Sequence, residues 1–480
     1  MKILFLIPPP LDDAPAAERI FGCNYGIYSQ PNIFILYPAT VLQQAGHDVS
    51  IIDFPIQGLD RRDFERFALS EAFDVVFFYT VFLSKKTDLL ARDILHRAHA
   101  DMRFVFLATE PSAAPEDFVD PNSVVIRGEP EMRVVPLLEL MEAGKSPGCL
   151  PGVSYMAGGE VIHRDGETVI DDLDSLPFPD RGMLGSHGYH NPKLSALPFT
   201  TMVASRGCSF GCYYCVPNSQ SFAREIEFKR RTEDHLRKPP VRLRSVENVV
   251  EEARTLARGG YRAVSFIDDQ FVWGIDRTVA ICRGLAPLKL EWSCLARADM
   301  LQDADMVAEM SRAGCRYIDI GIESFSQEIL DYVGKGHKVD DIYPAVENLK
   351  RAGIEPELNI LIGACPLETA DTIEHTFREV LRLDVDYVLF SVCTPFPYTR
   401  FNRIAGEEGW MIEPSYRPID PIKESFISYP HLTKEALDAT IRSLYRRYYF
   451  RPSYLWKRLR KVTGFRDLVN KSKAALSILR

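Results

Sequence analysis

The sequence contains no apolar run that reaches the roughly 18 residues needed for a membrane-spanning helix. It also has no excess of basic residues, because 57 Lys and Arg against 66 Asp and Glu give a net charge of −9. A general nucleic-acid binder needs a basic field to neutralise phosphate, so this class of protein is excluded. The N-terminal MKILFLIPPP lacks a small-residue cleavage site, and we predict a buried strand in a cytoplasmic protein rather than a signal peptide.

Cysteine is scarce as well, with ten residues in 480, yet three of them fall within eight positions of the segment RGCSFGCYYCVPN. In a reducing cytoplasm we expect thiols or metal ligands rather than disulfides. Closely spaced cysteines are typical of iron–sulfur clusters, and we predict Cys208, Cys212 and Cys215 as ligands of a [4Fe–4S] cluster. Three protein ligands leave one iron open, as catalytic metal sites keep one coordination position free. Gly207 and Gly211 suit a loop whose backbone must approach the cluster closely.

A structural zinc site is the alternative interpretation of these cysteines, with His187 or His190 as the fourth ligand. Zinc motifs usually contain two separated ligand pairs, and the sequence has no second pair. On this alternative the chain is a non-catalytic metal-binding or iron–sulfur protein, such as a sensor or scaffold.

Short apolar runs alternate with helical patterns along most of the chain. Over residues 1–147 this alternation predicts an α/β domain with a doubly wound parallel sheet of the Rossmann or flavodoxin type. Residues 148–198 predict a hairpin, with Gly158 and Gly159 at its turn, and an ordered linker. Six βα units between residues 199 and 400 predict a partial (β/α)6 barrel, and residues 401–480 predict a mostly helical region with a basic tail.

Chemically reactive residues follow the predicted strands of the second series, where such folds place their ligands. The cysteines follow the first of these strands, Asp268 and Asp269 the second, Arg297 the third and Glu323 the fourth. Charged residues at strand ends are also often solvated or paired in salt bridges. Adjacent carboxylates repel each other unless a cation lies beside them, so the aspartate pair favours a cationic ligand.

Further motifs accompany the Cys-x3-Cys-x2-Cys spacing and the aromatic residue before its last cysteine. In chain order they are LDSLPFPDR, RLRSVENVVEEA, FIDDQF, RADML, AGCRYIDIGIESFSQEIL, KGH, LNILIGACPLET and TPFPYT. In these motifs the sequence resembles the radical S-adenosylmethionine (SAM) enzymes, in the subgroup with an N-terminal cobalamin (B12)-binding-type domain. The resemblance covers most of residues 1–400.

The resemblance implies that the open iron is chelated by SAM, which is then cleaved to a 5′-deoxyadenosyl radical. It implies that Tyr214 lies against the adenine, and that Asp268 or Asp269 holds the methionyl ammonium by a charge-assisted hydrogen bond. Arg297 would pair with the methionyl carboxylate, and Glu323 would reach the ribose hydroxyls. Backbone contacts to the adenine would come from four residues: Ile362, Gly363, Thr394 and Pro395.

The resemblance also implies cobalamin as a cofactor of the first domain. No histidine has an aspartate two positions before it, so the Asp-x-His-x-x-Gly motif of other corrinoid proteins is absent; members of the subgroup often bind without an axial histidine. The predicted contacts are the Pro8–Pro10 loop (Pro8 and Pro9), Tyr37, Gly128 and Glu129, which lie at predicted strand ends or helix starts.

The leading interpretation is cobalamin-dependent methylation of an unactivated carbon. The deoxyadenosyl radical removes hydrogen, the substrate radical takes a methyl group from methylcobalamin, and a second SAM restores that methyl group. The alternative is the same radical chemistry without methyl transfer, for a cyclisation, rearrangement, oxidation or carbon–carbon coupling. An electron donor such as flavodoxin or ferredoxin is the expected partner, and the substrate is a small molecule or lipid that the sequence does not identify.

Two basic segments depart from the family pattern. Residues 216–241, longer than expected, predict either a lid or dock for an acidic substrate at the barrel mouth or a solvated charged helix. The C-terminal WKRLRKVTGFRDLVNKSKAALSILR carries eight basic residues against one Asp, with apolar residues between them. Such a helix lies on an anionic membrane surface or packs on the barrel. Its apolar residues are Trp456, Leu459, Val462, Phe465, Val469 and Leu476.

Overall fold

The computed structural model describes residues 1–12, 14–22, 28–185, 188–233, 237–412 and 424–460. The chain divides into two compact units. The first unit comprises Met1–Ser209, Val216–Leu295 and Arg312–Arg316. The second comprises Phe210–Cys215, Ala296–Ser311 and the chain from Tyr317 onward.

A seven-stranded sheet forms the N-terminal part of the first unit. Its strands are β1 (Lys2–Ile7), β2 (Asp48–Asp53), β3 (Val75–Tyr79), β4 (Arg103–Leu107), β5 (Ser123–Ile126), β6 (Val153–Ala157) and β7 (Glu160–His163). They lie in the order β2-β1-β3-β4-β5-β6-β7, and β1 to β5 are parallel. The helices between them are α1 (Ile33–Gln44), α2 (Phe54–Gln57), α3 (Arg61–Ser70), α4 (Lys85–Ala98), α5 (Thr109–Ala113) and α6 (Glu131–Glu142).

Both faces of this sheet are covered, as a parallel sheet requires. Successive residues of β1 point to opposite faces, so Ile3 and Phe5 join one apolar core while Leu4 and Leu6 join another. All five residues of β3, VVFFY, are buried. The prediction of a doubly wound α/β domain is therefore confirmed.

The predicted hairpin is present, and it continues the first sheet. Ala157 pairs with Glu160, and Gly158 and Gly159 have φ angles of +60° and +84°, which a two-residue hairpin turn requires. β6 pairs with β5 in antiparallel orientation. The sheet thus extends past residue 147, where the sequence predicts a domain boundary.

Six further strands correspond to the predicted βα units, and a short ladder accompanies them. The strands are β8 (Phe199–Met202), β9 (Ser205–Arg206), β10 (Arg242–Leu243), β11 (Ala263–Phe266), β12 (Glu291–Ala296), β13 (Cys315–Glu323), β14 (Glu355–Ile362) and β15 (Tyr387–Val392). In the first unit β8, β11 and β12 pair in parallel, and β9 pairs with β10 in antiparallel orientation. In the second unit β13, β14 and β15 pair in parallel.

The remaining helices complete the predicted alternation of strands and helices. They are α7 (Ser219–Thr232), α8 (Val246–Arg258), α9 (Ile275–Leu285), α10 (Ala304–Arg312), α11 (Gln327–Tyr332), α12 (Ile342–Ala352), α13 (Ala370–Leu383), α14 (Arg400–Glu407), α15 (Lys434–Tyr449) and α16 (Pro452–Arg460). The last three confirm a mostly helical C-terminal region. Val462, Phe465, Val469 and Leu476 of the predicted membrane-facing set lie outside the described residues, as does the side chain of Leu459. Within the described ranges, no helix has both the length and the apolar character needed to cross a bilayer.

Candidate functional site

The cysteine loop, residues 207–215, begins directly after β9. Gly207 has a φ of +93°, and a Cβ atom there would lie 2.6 Å from Nη1 of Arg224, so only glycine fits. Cys208, Cys212 and Cys215 are half-buried. Each thiol is therefore neither sealed in the core nor fully exposed.

The zinc alternative requires His187 or His190 beside the cysteines. In the described part of the chain no three His, Cys, Asp or Glu side chains, the three cysteines included, are grouped so as to hold a metal ion. His190 lies beside Tyr28, and its Nδ1 lies 3.1 Å from the carbonyl oxygen of Gly188. His187 falls outside the described residues.

In the second unit, the turn after α11 supports the cysteine loop. The amide of Tyr213 donates to the carbonyl of Val333 at 3.1 Å. Gly334 has a φ of +70°, and a Cβ atom there would lie 3.0 Å from the carbonyl oxygen of Gly211. Two glycines thus let the two backbones meet. Phe401, at the start of α14, donates its amide to the carbonyl of Tyr213 at 2.9 Å and packs its ring against that tyrosine at 5.0 Å.

Arg297 follows β12, as predicted, and contacts the same loop. Its guanidinium carbon lies 3.6 Å from the centroid of the Phe210 ring. Nη1 donates to the carbonyl of Lys335 at 2.7 Å, and Nε donates to Oδ1 of Asp299 at 2.9 Å. Asp299 was not predicted as a site residue, although it stands two positions after Arg297 in the RADML motif. The cation is held close to the cysteine loop, and its role toward SAM stays a prediction.

Glu323, predicted for the ribose, lies at the end of β13 with a φ of +67°, an uncommon and strained conformation for glutamate. Its Oε1 accepts from Nζ of Lys335 at 2.7 Å. Gly321 makes room for this ion pair, because a Cβ atom there would lie within 2.7 Å of both charged groups. Burial alone would lower the pKa of Lys335, but the neighbouring Glu323 and Cys212 outweigh it, and the pKa is raised. Lys335 therefore stays charged.

Sequence reasoning missed Lys335 as a site residue. It is the first residue of the KGH motif, so the motif marked the segment without indicating what the lysine contacts. The adjoining His337 is buried, and burial, Lys335 and Arg297 lower its pKa to about 4. Two cations held beside the cysteine loop suit a site that must hold the negative charge of thiolates and sulfide.

The residues predicted for the adenine end their strands in the second unit. The amide of Cys393 donates to the carbonyl of Ile362 at 2.8 Å, which joins the ends of β14 and β15. The carbonyls of Gly363 and Pro395 accept from Tyr429 and Asn402, at 3.1 and 2.7 Å.

Thr394 and Tyr214, two further predicted SAM contacts, each have an identified neighbour in the structure. Thr394 donates its hydroxyl to the carbonyl of Val392 at 3.2 Å. Burial and then the Glu323 carboxylate raise the pKa of Tyr214, so these two predicted SAM contacts share one neighbourhood.

Asp268 and Asp269 lie in the first unit, after β11. Asp268 is fully buried and accepts from the Ala204 amide at 3.0 Å and from the Ser205 hydroxyl at 2.5 Å. Burial raises its pKa to about 7. Burial likewise raises the pKa of Asp269 to about 6. Oδ1 of Asp269 accepts from the Asn218 amide at 2.6 Å, whereas its buried Oδ2 has no hydrogen-bond partner in the described part of the chain. The Ser221 side chain and the Lys238 charge lower the pKa of Asp269 against this burial, so both lie near its carboxylate.

The family model for the radical SAM superfamily matches residues 202–380, which contain the cysteine loop and strands β9 to β14. The chain belongs to the radical SAM superfamily. As a radical SAM enzyme it uses a [4Fe–4S] cluster and SAM, and its donor set of three closely spaced thiols fits the cluster. The non-catalytic alternative is thereby overturned.

This radical SAM enzyme is similar to other proteins over much of its length. It is 27% identical over 478 residues to an uncharacterized methyltransferase of Pyrococcus horikoshii. This match covers 97% of this chain and 96% of the relative. It is 25% identical over 350 residues to an anaerobic magnesium-protoporphyrin IX monomethyl ester cyclase of Rubrivivax gelatinosus; the match covers 69% of this chain and little more than half, 57%, of that relative.

A solved structure has the same fold. It is that of OxsB, a cobalamin-dependent SAM radical enzyme with aqua-cobalamin and SAM bound. The TM-score is 0.69 at 17% identity, and the match covers 99% of this chain and 70% of OxsB.

The predicted cobalamin contacts lie at the carboxyl ends of the first sheet or close to them, and they are filled by protein. Pro8, Pro9 and Gly128 are buried. Tyr37 is 3% exposed, and the guanidinium carbon of Arg206 lies 5.1 Å from its ring centroid. Glu129 has no exposed surface; it binds Nη1 of Arg206 at 2.7 Å.

Helix α7 fills the same region. We call the residues that directly follow β3, β4 and β5 the carboxyl edge; α7 lies across this edge, and nine of its fourteen residues are buried. The interpretation of residues 216–241 as a solvated charged helix is therefore wrong for α7. In the described arrangement the carboxyl edge does not fit a corrinoid.

Proposed function

We propose that this radical SAM enzyme methylates an unactivated carbon of a small-molecule or lipid substrate. The observation that carries the proposal is the cysteine loop: three half-buried thiols within eight residues, supported by Gly334 and flanked by the cations Arg297 and Lys335. Methyl transfer is supported by the relative from P. horikoshii, which is named a methyltransferase and matches nearly the full length of both chains.

In this proposal Cys208, Cys212 and Cys215 ligate the cluster. When bound, the cluster supplies one electron that cleaves the C5′–S bond of SAM, giving methionine and a 5′-deoxyadenosyl radical. The protein binds and orients SAM. Asp268 or Asp269 is the proposed partner of the methionyl ammonium, and Arg297 is the proposed partner of the methionyl carboxylate.

The nucleoside of SAM is held by the second unit. Tyr214 packs on the adenine, and the strand-end backbone at Ile362, Gly363, Thr394 and Pro395 contacts its edge. Lys335 holds the Glu323 carboxylate ionised and in place, so that it accepts from the ribose hydroxyls. Lys335 is thus a positioning residue.

Methyl transfer consumes SAM in two ways, because one molecule yields the radical and another supplies the methyl group. We propose cobalamin as the methyl carrier, in keeping with the fold shared with OxsB, which was solved with that cofactor. A corrinoid at the carboxyl edge would require a different arrangement of α7 from the one described.

The test is an anaerobic assay of the reconstituted, reduced full-length protein with SAM and deuterium-labelled candidate substrates. Both 5′-deoxyadenosine and S-adenosylhomocysteine are expected, with deuterium transferred to the deoxyadenosine. Deoxyadenosine without S-adenosylhomocysteine overturns methylation and leaves a radical cyclisation or rearrangement, the chemistry for which the R. gelatinosus relative is named. A colourless protein that holds one zinc ion overturns the whole proposal.

We also propose that the C-terminal region contacts an anionic membrane. Leu455 and Trp456 of α16 are 41% and 60% exposed and lie beside Lys457. Sedimentation with vesicles of phosphatidylglycerol, but not of phosphatidylcholine, is expected, and Trp456→Ser should weaken it. Equal binding of wild type and Trp456→Ser to these vesicles overturns the proposed membrane contact.

The domain boundaries predicted at residues 147, 198 and 400 remain part of the proposal.

A further inference from the structure

We propose that Tyr213 is a positioning residue that ties the cysteine loop to the turn after β14. The inference rests on the proposed function, because it concerns how the second unit binds SAM. Tyr213 stands directly after Cys212, a proposed ligand of the cluster. Its hydroxyl donates to the carbonyl of Ala364, which directly follows Gly363, a proposed contact of the adenine. One side chain therefore joins the two parts of the second unit that are proposed to meet SAM.

Tyr213 is itself held firmly by its neighbours. It is buried, and its amide donates to the carbonyl of Val333 at 3.1 Å. Its carbonyl accepts from the amide of Phe401 at 2.9 Å. The ring centroids of Phe401 and Tyr332 lie 5.0 and 6.0 Å from the centroid of its own ring. Because both backbone groups are bonded and the ring is packed against two others, the hydroxyl has a defined position.

The turn after β14, residues 363–368, receives further hydrogen bonds within the second unit. Tyr429 donates its hydroxyl to the carbonyl of Gly363 at 3.1 Å, and the amide of Ala364 donates to Oε2 of Glu368 at 2.9 Å. Ala364 is buried, so removal of the Tyr213 hydroxyl would leave its carbonyl buried without that donor. A buried carbonyl that loses its donor destabilises the conformation that contains it.

This arrangement predicts what Tyr213 contributes to the reaction. A displaced turn would leave the three cysteines, and with them the proposed place of the cluster, unchanged. It would weaken the strand-end contacts to the adenine, which lies away from the bond that is cleaved. Loss of binding that is equal in the ground state and the transition state raises KM and leaves kcat unchanged. Tyr213 is therefore expected to set the affinity for SAM rather than the rate of its cleavage.

The test compares Tyr213→Phe with Tyr448→Phe in the full-length protein with its cluster reconstituted. Tyr213→Phe keeps the ring and removes only the hydroxyl bond to Ala364. Tyr448 is the matched control, because it is buried in the same unit and its hydroxyl donates to the carbonyl of Val385 at 2.6 Å. Val385 precedes β15, so the control loses the same kind of bond at the amino end of a strand, opposite to the proposed site.

Four properties are measured for each protein. They are the iron content, the free energy of unfolding in urea, the amide exchange of residues 363–368 without SAM, and SAM binding by equilibrium dialysis. Deoxyadenosine formation with dithionite as the reductant gives kcat and KM.

Tyr213→Phe should keep the iron content of wild type and bind SAM about tenfold more weakly, with KM raised equally and kcat within about twofold. Amide exchange in the turn should be about tenfold faster. Tyr448→Phe should lose a similar amount of stability but match wild type in SAM binding and in exchange of the turn. A merely structural role of Tyr213 would not produce this difference between the two variants.

A further variant tests whether the turn is the shared element. Tyr429→Phe removes the bond to the Gly363 carbonyl and should also weaken SAM binding. Because both tyrosines hold one turn, the double variant should weaken binding by less than the product of the two single effects. An effect equal to that product overturns the coupling through the turn. If Tyr213→Phe does not fold, an unchanged KM in Tyr429→Phe overturns the role of the turn.

Failure of this proposal can be told apart from failure of the proposed function. If Tyr213→Phe binds SAM as tightly as Tyr448→Phe, the positioning role is overturned, and SAM cleavage by wild type leaves the proposed function standing. Loss of iron from Tyr213→Phe overturns the positioning role as well, because the hydroxyl would then serve the cluster rather than the turn. If wild type itself neither binds nor cleaves SAM, the proposed function fails and the positioning role with it.

Discussion

The carboxyl edge of the first sheet and the cysteine loop show two ways of ending parallel strands. At the edge, Glu129 and Arg206 are fully buried and paired, and α7 covers the strand ends. In the cysteine loop the thiols are half-buried, Gly211 is exposed, and the cations of Arg297 and Lys335 lie beside them. The same βα pattern therefore predicts where a ligand can bind but not whether protein already fills the place.

The largest effect is expected from the cysteine loop. Replacing Cys212 by Ala removes one of the three proposed cluster ligands, so iron and sulfide content and the broad absorbance of the reconstituted protein should be lost, and SAM cleavage with them. Replacing Cys282, which is buried in α9, by Ala is the control and should leave the cluster intact. A Cys212→Ala protein that keeps four irons and cleaves SAM contradicts the ligand assignment.

The buried ion pairs at the carboxyl edge predict a large effect on the free energy of unfolding instead. Glu129→Ala leaves Arg206 with one carboxylate, Glu131, and leaves Arg224 without its partner at 3.4 Å. Breaking a buried ion pair costs about 3–5 kcal/mol, which urea unfolding would detect. The control Glu65→Ala breaks an exposed pair with Arg61 and should change the unfolding free energy by less than about 0.5 kcal/mol. If Glu129→Ala and Glu65→Ala change the unfolding free energy equally, the ion pairs of Glu129 are not buried as described.

The raised pKa of Asp268 predicts that the unfolding free energy depends on pH, by an amount similar to or smaller than the effect of Glu129→Ala. Its pKa of about 7 in the folded protein, against 3.8 ordinarily, means that the folded chain keeps a proton that the unfolded chain releases. Stability from this group is therefore full below about pH 4 and is lost as the pH rises toward 7, on the order of 4 kcal/mol in all.

The measurement is the unfolding free energy at pH 5 and pH 8 in the absence of SAM, for wild type and Asp268→Asn. The wild type should lose more stability than the variant between these pH values, because asparagine resembles the protonated acid. Asp269, with a pKa of about 6, contributes in the same direction in both proteins. A loss that is equal in the two proteins would show that Asp268 is ionised in the fold.

The smallest effect concerns Tyr214. Removing its ring in Tyr214→Ala should weaken SAM binding to the reconstituted protein by about tenfold, near 1.4 kcal/mol, because an aromatic contact is lost. Tyr214→Phe keeps the ring and should bind within about twofold of wild type. Equilibrium dialysis measures both. Similar losses in the two variants would indicate that the hydroxyl, rather than the ring, contacts the ligand.

Much of the fold could be predicted because its signals are local. The five parallel strands of the first sheet and the six later strands each coincide with a short apolar run, and the hairpin turn was marked by Gly158 and Gly159. The candidate ligands were recognisable for the same reason, since Cys208, Cys212 and Cys215 lie within eight residues.

Other features depend on partners distant in sequence. Lys335 was missed because its partner, Glu323, lies on a different element, and Asp268 gave no sign that burial would raise its pKa to about 7.

The sequence by itself determined the strands, the helices and the chemistry of the cysteine loop, because periodicity and close spacing need only neighbouring residues. Only the tertiary structure decided that α7 is a largely buried helix. Its run of Arg, Lys and Glu is typical of a solvated helix, yet Arg224 and Glu227 are buried, because oppositely charged side chains of the first unit lie within about 3.5 Å of each. Burial of a charge depends on its partner, and residues 95 to 100 positions away supply the partners here.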